Sequence, residues 1–211
     1  IPMESMGVPS ADGSAVENDA RKIWRTFAAH YYLFAGTPSR LWFDHVFNQV
    51  FGLEAPLSEG TADPYFDHIN EQLRTPEFRP RALFERFNIE TLAPTESPLD
   101  SLDHHRIIRA GDWNGNINTT YRPDPVVDPE FEGFRQNVER FGELAGEDIS
   151  NWSGYLSAHR NRRAFFRSMG ATARDHGHPS ARTAKLDTAH CEALYAKALA
   201  GKCSADEAEL F

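Results

Sequence analysis

The chain has 211 residues, a 40% hydrophobic composition and a formal net charge of −9 at pH 7. This is enough apolar material for a substantial core, in one domain or two small ones, while the acidic balance and scattered Lys and Arg argue against a nucleic-acid partner. No apolar run approaches the roughly 18 residues of a membrane span, and Ile1–Met6 lack the basic flank and apolar core of a signal peptide, so the chain reads as soluble and cytoplasmic with no membrane partner.

Residues 1–15 hold Gly7, Pro9 and Gly13 among serines and read as a loop or arm. Residues 16–87 form a helical block dense in aromatics. A first helix is expected from Glu17 to about Phe34, ahead of Gly36-Thr37-Pro38. A second runs from Ser39 to Phe51, with Phe43, Val46, Phe47 and Val50 at helical spacing and Gly52 as its stop. Ser58 opens a third with Phe66, Ile69 and Leu73, and Pro80 suits the first turn of a fourth. The stripe Trp42, Phe43, Phe47 and Phe51 reads as core, as does His30-Tyr31.

The pattern changes after residue 87. Phe87–Ala93, bounded by Pro94, reads as a strand, Asp100–Ala110 as a short helix, and Gly115–Tyr121 as a second strand. Helices follow over 134–145 and 151–167, then a short buried strand over about 170–174, then the helix Thr188–Ala200. Cys191 and Cys203, in or beside that helix, lack metal-type spacing and read as free thiols. Strands alternating with helices predict an α/β fold with parallel strands over 88–211. Three strands are too few for a doubly wound sheet or a closed barrel, which typically needs about 250 residues. An incomplete sheet has open edges, so the isolated chain is expected to aggregate or swap strands.

Two strand ends are unusually polar. Thr119-Thr120-Tyr121-Arg122-Pro123-Asp124 closes one, and Asp175-His176-Gly177-His178 closes the other. The carboxyl ends of parallel strands are where α/β folds build active sites, and these residue types suit a metal or sugar-acid site. His176 is the metal candidate, because a neutral imidazole at a strand end is a common ligand; a hydrogen bond to loop backbone is its structural alternative. Asp175 could orient it. His178 precedes Pro179 and reads as structural or exposed. His104 and His105 are adjacent in a helix and point about 100° apart, so they do not share an ion; His104 is expected to pack on the sheet with His105 exposed.

Five segments, in one order, identify a resemblance: Thr37-Pro38-Ser39-Arg40-Leu41-Trp42, Phe84-Glu85-Arg86-Phe87-Asn88-Ile89-Glu90, Ser97-Pro98-Leu99-Asp100-Ser101-Leu102-Asp103-His104-His105, Tyr121-Arg122-Pro123-Asp124 and Asp175-His176-Gly177-His178. Together, from about Asn18 to Gly201, they resemble the uronate (glucuronate) isomerase family of the amidohydrolase superfamily. The resemblance implies part of a (β/α)8 TIM-type barrel with a helical insertion. It also implies aldose–ketose isomerisation of hexuronates, D-glucuronate to D-fructuronate and D-galacturonate to D-tagaturonate, in bacterial uronate catabolism. The family's first-strand His-x-His, its His-Tyr pair and its last-strand Asp-x-Arg have no counterpart here. The chain therefore resembles the middle of such an enzyme, supplying part of the site, and is expected to be inactive alone.

On this resemblance Arg122 faces the substrate, and its planar guanidinium suits the C6 carboxylate of a hexuronate sugar acid; the structural alternative is a surface pairing with Asp124 or Asp128. Asp124 becomes an orienting residue. His176 lines or ligates a divalent metal, read as zinc, that belongs to the complete enzyme. Ala93-Pro94-Thr95-Glu96 departs from the family's Thr-Thr-Asp type of strand end by losing a backbone donor at Pro94 and lengthening the acid at Glu96. Two other readings remain open: a non-catalytic helical module that homo-oligomerises, and a small metal-dependent hydrolase built on Asp175, His176 and His178, with His104 as a further candidate.

Overall fold

A computed structural model describes residues 17–177, 180 and 182–211. The expected arm over 1–15 and His178 lie outside these residues. The chain divides into two compact units, residues 1–88 and 89–211.

The first unit is helical. Helix α1 (Ala20–Ala29) starts where the Asp19 carboxylate accepts the Arg21 and Lys22 amides. A single 3-10 turn over Tyr31–Phe34 leads into α2 (Pro38–His45), whose Thr37 hydroxyl accepts the Arg40 amide. A π-helical turn over Val46–Val50 extends α2, and α3 (Ala62–Gln72) and α4 (Pro80–Arg86) follow. Its core is Ala28, Tyr31, Phe47, Leu57, Ala62 and Tyr65. Tyr31 is buried and donates to Asp44 at 3.0 Å. The expected aromatic stripe does not stay on one face: Phe47 is buried, but Trp42 is 68% exposed and Phe43 39%. Positions 43 and 47 lie one turn apart, whereas 42 is rotated about 100° from 43, so the core-facing row passes Trp42 by.

The second unit is α/β, largely helical with a small parallel sheet. In chain order it holds β1 (Thr95–Glu96), α5 (Asp103–Ala110), β2 (Thr120–Tyr121), α6 (Asp124–Val127), α7 (Phe134–Ala145), α8 (Trp152–Ser168), β3 (Ala173–Arg174), α9 (Thr188–Leu199) and α10 (Ala205–Leu210). The sheet order is β1-β2-β3, all parallel. A further parallel bridge joins Leu92 to Ile117, in the same register as Thr95 on Thr120. The first strand thus runs along 92–96 rather than 87–93. Phe87 caps α4, and Asn88 sits at a left-handed φ of 50° that no strand accommodates. Pro94 does not stop the strand, because its carbonyl still accepts the Thr120 amide at 2.9 Å.

The third strand also differs from expectation. Ser168 is the last residue of α8, Gly170 turns the chain at φ 83°, and both residues of β3 are exposed. The helix end and the Gly170 turn take up the start of the expected segment, which leaves only Ala173 and Arg174 paired with β2. The unit's main core packs α6, α7, α8 and α9 around Val126, Phe141, Tyr155, Ala158 and Tyr195. A smaller cluster of Leu102, Tyr121 and Phe166 seats the sheet on α8. Leu102 carries a positive φ of 58° and is fully buried. Its strained turn is held by the buried Arg162, which donates to the Pro98 and Asp100 carbonyls at 2.8 and 2.7 Å. Both cysteines are free and half-buried, and no helix among the described residues is long and apolar enough to cross a membrane.

Two outcomes follow. Phe141→Ala should cost about 3–5 kcal/mol and Trp42→Ser less than about 0.5 kcal/mol, read as shifts of the urea midpoint. Among the described residues β1 and β3 each pair on one side only, so the isolated 211-residue chain should elute from size exclusion with light scattering as dimers or larger species; a monodisperse monomer would contradict this.

Candidate functional site

Register partners in parallel strands point to the same face of the sheet. Glu96, Tyr121 and Arg174 therefore share one face, which meets the helices: the Tyr121 ring lies 5.1 Å from that of Phe166 in α8. Thr95, Thr120 and Ala173 share the other, and the next residues on that face at the carboxyl ends are Arg122 and Asp175. The two polar strand ends thus come together. Arg122 Nη1 lies 3.2 Å from the Asp175 carboxylate, and Arg122 Nε donates to Asp124 Oδ2 at 3.2 Å. The Arg122 side chain is about half exposed.

Asp124 is the centre of this cluster. It begins α6, and its other oxygen accepts the Gly177 amide at 2.9 Å. His176 Nδ1 stands 3.7 Å from Asp124 Oδ2. Burial pushes the Asp124 carboxyl upward, but the Gly177 amide, its own amide and the Arg122 guanidinium outweigh this and hold it below the ordinary carboxylate value. Gly177 lets the backbone come close: a Cβ there would lie 2.7 Å from Asp124 Oδ1 and 3.4 Å from Arg122 Nη2, so the Asp124 carboxylate would have to shift.

This changes the expected division of labour. The carboxylate beside His176 is that of Asp124, while Asp175 pairs with Arg122 because it is that residue's cross-strand neighbour. Arg122 does pair with Asp124, its structural alternative, though at a strand end. His104 and His105 are reversed: His105 is 7% exposed and His104 is exposed. His105 lies one turn after the buried Leu102 and shares its inward face. Its Nε2 is 3.1 Å from the Asn118 carbonyl and 3.4 Å from Glu96 Oε1, and Thr119 Oγ1 donates to the other Glu96 oxygen. Sequence reasoning also passed over His159, which shares a 2.9 Å hydrogen bond with the Tyr121 hydroxyl and whose pKa burial pushes down to about 4. A histidine inside an aromatic helix carries no signal until its strand partner is known.

Among the described residues, no three His, Cys, Asp or Glu side chains gather as a metal site would require. His176 and Asp124 offer two donors, and the carboxylate is already engaged by Arg122 and Gly177. These residues do not by themselves build a metal centre.

Because the folded Asp124 carboxyl titrates lower than an unfolded one, its contribution to stability is fully present above about pH 4 and is lost as pH falls through its folded value. Asp124→Asn should therefore flatten the acid limb of urea midpoint against pH below about pH 4. Parallel acid limbs in the two proteins would contradict this.

The comparisons with known proteins agree with one another. The chain is 57% identical over its whole length to the uronate isomerase of Rhizorhabdus wittichii and 56% to that of Phenylobacterium zucineum, and it spans 44% of each of them. Among solved structures, the glucuronate isomerase of Caulobacter crescentus superposes with a TM-score of 0.85 at 50% identity, over 95% of this chain and 42% of that one. The uronate isomerase of Thermotoga maritima gives 0.84 at 29% identity, over 99% of this chain and 46% of that one. The chain thus spans less than half the length of these relatives. The sequence profile of the glucuronate isomerase family matches residues 3–211, and the chain belongs to that family.

Proposed function

We propose that the chain supplies one wall of the active site of a hexuronate isomerase, built on the middle strands of a (β/α)8 barrel in the cytoplasm. The observation that carries this reading is the guanidinium of Arg122, anchored through Nε by Asp124 at the carboxyl end of a parallel strand. The names of the relatives support the reaction class.

In this reading Arg122 receives the C6 carboxylate of the sugar acid along its Nη edge. The ligand competes there with Asp175, and because both side chains of that pair are about half exposed, their interaction is weak enough to yield. Asp124 keeps the guanidinium plane in place while this happens. The isomerisation takes a proton from C2 of the open-chain aldose while O1 gains one, and the enediol so formed is protonated at C1 as its C2 hydroxyl loses a proton, leaving a ketose. The base and acid come from outside this chain. The family's divalent ion, read as zinc, would need ligands beyond His176 and Asp124, and His176 would line or ligate its site. The hydrolase reading would need a third ligand beside His176 and Asp124.

Removing a charged hydrogen-bonding partner costs about 1.5–3 kcal/mol, so Arg122→Met in the full-length protein should raise KM for D-glucuronate about 10- to 100-fold. Arg122→Lys should fall between, since it keeps charge without the fork. An unchanged KM in Arg122→Met would sink the assignment. The purified 211-residue chain alone should convert no D-glucuronate under the same conditions.

A further inference from the structure

We infer that His105 takes the place of a missing backbone donor at position 94 and thereby positions Arg122. The parallel ladder between the first two strands shows the vacancy. Leu92 N donates to the Asn116 carbonyl at 3.0 Å, Asn118 N to the Leu92 carbonyl at 2.9 Å, Thr120 N to the Pro94 carbonyl at 2.9 Å, and Arg122 N to the Glu96 carbonyl at 3.0 Å. In this alternation the residue at 94 would donate to the Asn118 carbonyl, but proline has no N–H. A partly buried ladder carbonyl left open carries a cost.

The imidazole of His105 fills the position, with Nε2 at 3.1 Å from that carbonyl. A carbonyl only accepts, so Nε2 carries the proton. The same N–H also faces Glu96 Oε1 at 3.4 Å, and the second oxygen of Glu96 takes the Thr119 hydroxyl. The longer acid at 96 thus reaches across to the neighbouring strand and the helix. The two departures, Pro94 and Glu96, are joined by one ring: proline opens the acceptor, histidine closes it, and glutamate braces the histidine. This tie spans β1, α5 and β2 on the helix-facing side of the sheet, behind the face that carries Arg122. Residue 96 then passes it on, since its carbonyl receives the Arg122 amide.

His105 is therefore a positioning residue. Its bearing on substrate rests on the carboxylate-binding reading of Arg122, but the tie itself does not. The first measurement is amide hydrogen exchange by NMR at Arg122, with Val138 in α7 as an internal reference. His105→Ala should speed exchange at Arg122 about fivefold or more relative to Val138, the equivalent of one net hydrogen bond. His105→Gln, whose amide can reach the same carbonyl, should stay within about twofold of the parent. The double change Pro94→Ala, His105→Ala should recover protection, because an alanine at position 94 restores the ladder donor. Equal acceleration at Arg122 and Val138, or no recovery in the double variant, overturns the inference. In the full-length protein His105→Ala should raise KM for D-glucuronate about fivefold while kcat changes less than about twofold; an unchanged KM overturns the positioning role. Because amide exchange needs no ligand, failure of the Arg122 substrate assignment leaves the exchange result standing, and the two failures are told apart.

Discussion

The parallel register of the first two strands is the constraint on which the rest of the second unit depends. Leu92 opposite Ile117, Thr95 opposite Thr120 and Glu96 opposite Tyr121 keep one offset across a proline. A slip of one residue would send every side chain to the opposite face. Tyr121 would leave its seat against Phe166, and Arg122 would turn toward the helices. With the register as it is, one face of the sheet packs on α8 and the other carries the polar strand ends.

That division lets two kinds of polar chemistry sit a few residues apart without interfering. Behind the sheet, Glu96, Thr119, His105 and the Asn118 carbonyl satisfy one another around the buried His105 and Thr119 side chains. In front of it, Arg122, Asp124, Asp175 and His176 stay partly exposed, and only Asp124 is substantially covered. Each of Asp124's oxygens has a separate task, one on the Gly177 amide and one on the Arg122 Nε. Gly177 permits the approach because it brings no Cβ. The site is therefore held by backbone and carboxylate together, which orients a guanidinium better than an exposed ion pair alone.

The structural load falls elsewhere. The core of α6, α7, α8 and α9 buries Phe141, Tyr155 and Tyr195, and Arg162 secures the loop after β1 by donating to two carbonyls. Removal of those aromatics strikes the unit as a whole, whereas substitution in the strand-end cluster changes local geometry. This separation is what allows residues such as Asp124 to be altered while the fold persists.

Much of this was legible in the sequence alone. Helix signals marked α7, α8 and α9 to within a residue or two, because apolar residues in α7 repeat with the helical period and the starts of α8 and α9 carry caps at Asn151 and Asp187. The ordered motifs, ending in Tyr121-Arg122-Pro123-Asp124 and Asp175-His176-Gly177, pointed to the family and to the side chains that the fold brings together. Strand limits, and which of two neighbouring residues faces inward, were decided only by tertiary structure. Two-residue strands carry too little pattern to read, and a proline reads as a stop although only its N–H side is lost to the ladder. The inward turn of His105, the pairing of Asp175 with Arg122 and the exposure of Trp42 each depend on contacts with elements distant in the chain. Local spacing cannot specify such contacts, because it gives a residue's angle around its own helix or strand but not what stands opposite.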